Sequence, residues 1–242
     1  MQGPPDSGPD LPAAATIDPP DPPRQRWRLI LAREPDAPAL AGRELNDAWE
    51  AALEATGLPA FRGVVRARAR VAFGAPIPAS MRAEREFADV VLTRSLPVWE
   101  VRDALHAHLP HGWRLLDLHD VWIGEPALAA QVAAADYRIE VDGADAQTLG
   151  RAAEALLAAP GLPRQRAKGG AMVGYDLRPL VIDLCVADAG PPVLLRTRTR
   201  FDPSLGTGRP EEVVSALGGV AGAPLTIGPI VRERLVLASE LE

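Results

Sequence analysis

The chain of 242 residues is 47% hydrophobic and 24% charged, enough apolar material for a sizeable core, which excludes a fibrous or wholly disordered protein. Its net charge of −6 is uneven: Asp6, Asp10, Asp18 and Asp21 stand among no basic residues, so residues 1–23 account for −4 and the remainder for −2. A single cysteine, Cys185, excludes an intramolecular disulfide framework, and its place in the apolar run VIDLCV (181–186) makes a buried structural thiol the expectation. No apolar run reaches membrane-spanning length and no basic-then-apolar signal opens the chain, so a cytoplasmic protein without a membrane partner is expected.

Residues 1–25 hold eight prolines among Gly, Asp and Ala, a composition that predicts a disordered, solvating tail. RWRLILA (26–32) reads as the first strand. In LAGRELNDAWEAALEATG (40–57), Leu45, Ala48, Trp49, Ala52 and Leu53 follow the spacing of an amphipathic helix, which Gly57 and Pro59 stop. VRARARVAF (65–73) and REFADVVLT (85–93) alternate as strands, Pro97 opens a second helix over 98–109, and WRLLDLHDV (113–121) is a strand. The order β-α-β-β-α-β then recurs: DYRIEV (136–141) as a strand, 146–159 as a helix, 181–187 and 192–200 as a hairpin, 209–218 as a helix and 225–238 as a strand. RQRAKGGAMVGYDL (164–177) is extra, a small hairpin turning at Gly169-Gly170.

EAALEATGLP (50–59) matches EALLAAPGLP (154–163) at seven of ten positions, and with the repeated element order this points to an internal duplication. The expected fold is α+β, a tandem pair of ferredoxin-like halves with antiparallel sheets. The divisions are 1–25 for the tail, 26–122 for the first half, 123–135 for a connecting segment with helical character and 136–242 for the second half.

Alternation in 65–73 puts Arg66, Arg68 and Arg70 on one face and Ala67, Ala69, Val71 and Phe73 on the other. The second half repeats the device, with Arg196, Arg198 and Arg200 opposite Leu195, Thr197, Thr199 and Phe201. If the apolar rows face the helices, both arginine rows face the open side of the sheet. Guanidinium groups pair with phosphate and stack on bases, so RNA is one reading. Neutralisation by Asp89, Asp117, Asp183 or Glu233 on neighbouring strands is the other, and the two weigh equally. Tyr175, Asp176 and Arg178 form a polar knot before an apolar strand, suited to a site or to a structural corner. GTGRPEEV (206–213) sets Arg209 at a helix start, where backbone N–H groups can take a phosphate, although Pro210, Glu211 and Glu212 also make an ordinary helix beginning. His106, His108 and His111 do not share a helix face, so no metal site and no cofactor are expected. AGREL (41–45) lacks the Asp expected of a pseudouridine-synthase catalytic loop.

ALEATGLP (52–59), ARVAFGAPIP (69–78), EFADVVLT (86–93), ALHAHLPHGWRLLD (104–117), YDLRPLV (175–181) and GRPEEVVSALG (208–218), in that order, resemble a radical SAM-linked prokaryotic domain of unknown function. The resemblance implies a partner, a radical SAM protein with a cobalamin-binding-like domain. Two departures stand out: AGRE (41–44) replaces a Ser-His-Leu-Asp stretch of that family, and RGVVRAR (62–68) a Gly-Phe-His-Pro segment. Together these observations lead to a non-catalytic, substrate-presenting module, with RNA held by Arg66, Arg68, Arg70, Arg196, Arg198 and Arg200 and the same groove lined by Arg178 and Arg209. An RNA-processing or RNA-modifying enzyme and a purely structural interaction module are the alternatives.

Overall fold

The computed structural model describes residues 21–62, 68–168 and 170–241, so the tail through residue 20 and Arg66 lie outside the described residues. Strand β1 (Gln25–Arg33) is followed by helix α1 (Gly42–Ala55), which turns Leu45, Trp49 and Leu53 inward as their spacing requires. Next come β2 (Val71–Phe73), β3 (Arg82–Leu92), α2 (Val98–His106) and β4 (Trp113–Val121). β1 pairs antiparallel with both β3 and β4, and β2 pairs with β3, giving the order β2-β3-β1-β4.

The second half runs through α3 (Leu128–Gln131), β5 (Val132–Asp142), α4 (Ala146–Ala158), β6 (Pro163–Lys168) and β7 (Ala171–Asp176). It continues with β8 (Val181–Asp188), β9 (Val193–Asp202), β10 (Gly206–Thr207), α5 (Pro210–Ala221) and β11 (Thr226–Leu237). Its strands pair in the order β8-β9-β5-β11, all antiparallel. A short parallel contact, Val231 with Arg82 and Arg232 with Ala83, joins β11 to β3 and makes one nine-stranded sheet among the described residues. The protein is therefore α+β, with a mostly antiparallel sheet and few helices. β6 and β7 stand apart as a two-stranded sheet.

Helices α1, α2, α4 and α5 line one side of the sheet. Under α1 and α2, Trp27, Leu29 and Leu31 of β1 meet Ala88, Val90 and Leu92 of β3. Trp49, Phe73 and Trp113 close this cluster, the two tryptophan rings edge-on with centroids 5.2 Å apart. Under α4 and α5, Ile139, Val141 and Leu195 meet Leu149, Leu156, Val213 and Leu217. Burial of each such side chain is worth roughly 1.5–3 kcal/mol, so the two clusters fix which face of each strand points to the helices.

Four local expectations change. Of the strand expected over 65–73, residues 65–67 lie outside the described residues, and among 68–73 the strand covers Val71–Phe73. Ala69 does point inward with Val71 and Phe73, but its N–H donates to Glu54 Oε1 of α1 at 3.2 Å instead of to a strand. The connecting helix is four residues long, because 132–135 extend β5 against β11. The open face of the first half is partly covered: Leu128 packs with Ile30 and Phe87, and the carbonyls of Glu125 and Pro126 accept from Arg26 at 2.8 and 3.0 Å. Cys185, expected to be buried, is exposed: a register shift between Val181 and Asp183 lets Val181 and Leu184 face the core and sets Cys185 beside Arg196 on the outer face.

Candidate functional site

On the open side of the second half the pairing register alternates charge. Asp136 lies opposite Arg198 and Arg138 opposite Arg196. Arg198 donates to both oxygens of Asp136 at 2.6 and 3.0 Å, and Arg234 adds a third bond at 2.9 Å. Burial alone would push the Asp136 carboxyl up, but the hydrogen bonds from Arg198 and Arg234 outweigh it and hold the group below its ordinary value. Glu233 accepts from Arg196 at 3.2 Å and from Arg138 at 2.8 Å, and Arg138 also reaches Glu84 at 2.6 Å. Arg200 continues the row opposite Ala134 with no carboxylate in ion-pair range among the described residues.

The first half carries a buried basic pair besides the expected row of Arg66, Arg68 and Arg70. Arg26 and Arg28 of β1, both 7% exposed, converge on Asp89, with Arg26 Nε at 2.8 Å and Arg28 Nε at 3.0 Å. Asp89 thus serves arginines of the neighbouring strand. Arg68 is exposed beside α1, 3.9 Å from Asp47 and 3.8 Å from Glu50, and Arg70 is exposed. Arg178 spans a corner: it donates twice to the Leu157 carbonyl near the end of α4, at 2.9 and 2.6 Å, and once to the Val181 carbonyl at 2.7 Å. Asp176 accepts there from the N–H groups of Leu162 and Arg178, which hold its carboxyl below the ordinary range. Among the described residues no three His, Cys, Asp or Glu converge as a metal site.

On the helix-bearing side a cleft of about 630 Å³ opens between the halves. One wall is Ala41 and Gly42 at the start of α1 with Pro76, Ile77 and Pro78, and the other is Phe201 with residues 207–212 entering α5. Neither helix start has a side-chain cap. Tyr137 and Arg232 lie at the floor. Arg232, 1% exposed, donates through Nε and Nη2 to the fully buried Glu86 at 2.5 and 2.8 Å and through Nη1 to the Pro76 carbonyl at 3.0 Å. Burial pushes the Tyr137 phenol up, against the pull of the adjacent Arg232. Arg33 binds the first wall from behind: its guanidinium donates to the carbonyls of Pro38, Leu40, Pro78 and Ala79 at 2.7–3.1 Å. Arg209 stands exposed at the mouth, without a carboxylate in ion-pair range among the described residues.

Of the residues singled out in the sequence, the cleft brings together Arg209, the AGRE stretch through Ala41 and Gly42, and the ARVAFGAPIP stretch through Pro76, Ile77 and Pro78. Arg196, Arg198 and Arg200 gather on the opposite face, away from Arg68 and Arg70. The sequence reading missed Glu86, Tyr137 and Arg232. One signal was present: Glu86 shares strand parity with Ala88, Val90 and Leu92, an acid in an inward row.

Fold and site define an α+β protein with a ligand-sized cleft between two similarly ordered halves. The chain belongs to the family described as an uncharacterised protein conserved in bacteria (DUF2344), whose model matches residues 26–209. No curated protein matches it. Among solved structures it is similar to a chain in a crystal structure of a Cbf5–Nop10–Gar1 complex, with 9% identity, a TM-score of 0.49, and coverage of 86% of this chain and 49% of that one. It is also similar to a chain in an archaeal box H/ACA sRNP Nop10–Cbf5 complex, with 8% identity, a TM-score of 0.44, and coverage of 84% and 47%. The chain spans about half the length of these structures.

Proposed function

We propose that this protein is a non-catalytic module that holds an anionic substrate, RNA in the first instance, in the cleft between its halves and presents it to a radical SAM protein with a cobalamin-binding-like domain. The sequence resemblance suggests the partner. The observation that carries the substrate site is Arg209, without a carboxylate partner among the described residues, at the mouth of a mostly apolar cleft of about 630 Å³ with walls from both halves. Arg196 and Arg198, by contrast, already hold Glu233 and Asp136, so their face offers an anion a compensated network. Arg68, beside Asp47 and Glu50, and Arg200, in the row of the far face, take no part in this cleft, and Arg178 stays an anchor of its corner.

The same reading takes the chain from β1 to β4 and from β5 to β11 as two ferredoxin-like units joined through α3, behind a solvating tail ahead of Gln25, in a cytoplasmic assembly. The matching strand orders β2-β3-β1-β4 and β8-β9-β5-β11 support the duplication.

The test is binding of labelled single-stranded and structured RNA across a salt series by the parent chain, Arg209→Ala and Arg196→Ala. The expected result is affinity that falls with salt, weakened about tenfold with a shallower salt slope in Arg209→Ala and little changed in Arg196→Ala. No binding at low salt, or a loss confined to Arg196→Ala, would overturn the reading.

A further inference from the structure

The hairpin β6–β7 is absent from the four-stranded pattern of the first half, and its first strand carries Arg164 and Arg166. Arg164 and Arg166 lie two apart on β6 and are both half-buried, while Gln165 and Ala167 between and beyond them are exposed. The two arginines therefore point to one face, toward the chain that enters α5. Arg166 stacks its guanidinium on the Tyr175 ring, 4.7 Å from the centroid, and the Tyr175 hydroxyl donates to Glu212 at the cleft rim at 2.5 Å. Arg166 also lies directly over Gly206: a Cβ built there would sit 2.7 Å from Arg166 Nη2. Gly206 has φ +101°, so the turn needs glycine for its backbone and for this approach alike. Arg164 Nε is buried without a hydrogen-bond partner. Neither Arg164 nor Arg166 has a carboxylate in ion-pair range among the described residues. Arg209, three residues beyond Gly206, shares that condition, whereas Arg138, Arg196, Arg198 and Arg234 on the far face each hold an acid.

We propose that β6–β7 is a phosphate-recognising arm of the cleft: Arg166, backed by Arg164 and faced by Arg209, holds a phosphate group of the ligand at the mouth, and the body of the ligand enters between Pro76, Ile77 and Phe201. The ligand is then a phosphate ester with a flat or apolar body, either a free nucleotide or one nucleotide of an RNA strand. This inference rests on the cleft reading above and adds to it the ligand's charged group and the residues that select it. Stacking on Tyr175 holds the Arg166 fork in place before a ligand arrives, which favours two parallel N–H···O bonds to phosphate.

Titration calorimetry with adenosine 5′-monophosphate, adenosine, inorganic phosphate and a short oligoadenylate would test it on the parent chain, Arg166→Gln and Arg166→Lys. The expected result is that the monophosphate or the oligomer binds well above adenosine, with a loss of about tenfold or more in Arg166→Gln and a smaller loss in Arg166→Lys. Binding of the monophosphate assigns a free ester, and binding of the oligomer alone assigns a strand. Arg166 is half-exposed on a hairpin outside the main sheet, and an unchanged melting temperature confirms that the variants fold. Phosphate-bearing probes that bind Arg166→Gln as they bind the parent, or adenosine binding as tightly as its monophosphate, would overturn the arm and leave the cleft standing. No binding of any probe by the parent would remove both.

Discussion

The buried pair beneath the cleft gives the sharpest energetic prediction. Arg232 is 1% exposed and Glu86 is fully buried, their side chains share two hydrogen bonds at 2.5 and 2.8 Å, and the third bond of Arg232 goes to the Pro76 carbonyl. They belong to β11 and β3, the strands through which the halves join. Taking an effective dielectric of about 20 and charge centres about 4 Å apart, their attraction is about 4 kcal/mol. Glu86→Leu leaves a guanidinium buried without its counter-charge, and Arg232→Met leaves a buried carboxylate and frees the Pro76 carbonyl. Each should cost about 3–5 kcal/mol, a fall in melting temperature of about 6–20 °C for a chain of this size. The double variant should lose far less than the sum, because an apolar pair of similar volume needs no neutralisation. Denaturant unfolding of the four proteins gives the coupling energy directly. Single costs below about 1 kcal/mol that simply add would refute the view that this pair fastens the two halves.

Three further outcomes follow. Both tyrosines are shifted upward, Tyr137 by burial and Tyr175 by burial and its bond to Glu212, the latter to about 12 against an ordinary value of 10.0. The neutral phenol is therefore favoured by the fold, and the stability that Tyr175 lends is present below about pH 10 and lost as pH rises toward about 12. Ultraviolet titration should show almost no tyrosinate at pH 10, and half-ionisation there would contradict the geometry. Asp136→Asn should cost about 1–3 kcal/mol at neutral pH through its bonds to Arg198 and Arg234. Because the fold depresses the Asp136 carboxyl below 3.8, that contribution is present above this value and vanishes as pH falls through the folded one, so parent and variant should converge in acid, and a constant gap would argue against it. Gly112 has φ +71°, and a Cβ there would lie 2.3 Å from Ala37 Cα, so Gly112→Ala should cost about 3 kcal/mol or more in a thermal melt, while a neutral result would deny the close approach.

Periodicity carried much of the architecture. Leu45, Trp49 and Leu53 announce α1, and the alternation of Val71 and Phe73 against their neighbours gives the inward face of β2. What the sequence could not convey was who neutralises whom. Arg196 meets Glu233 from 37 residues away, Arg198 meets Asp136 from 62 and Arg26 meets Asp89 from 63, and each meeting depends on strand register across the sheet. Irregularities defeat simple alternation: the shift between Arg232 and Arg234 sends Arg232 to the cleft while Arg234 bonds Asp136 on the other face. The same cause exposes Cys185 in a run that reads as core. The cleft draws on segments near residues 41, 76, 137, 209 and 232, so no local motif could contain it. Its traces were separate: AGRE, the end of ARVAFGAPIP, an inward Glu86 and a cation at a helix start.

The central claim is that substrate enters between the halves and does not lie across the arginine rows. Backbone amide exchange of the full chain, with and without a saturating single-stranded RNA, measures this most directly. Slower exchange at residues 74–81 and 203–212 on RNA addition is the expected result. Protection confined to β8 and β9 around Arg196 and Arg198, with the cleft segments unchanged, would contradict it.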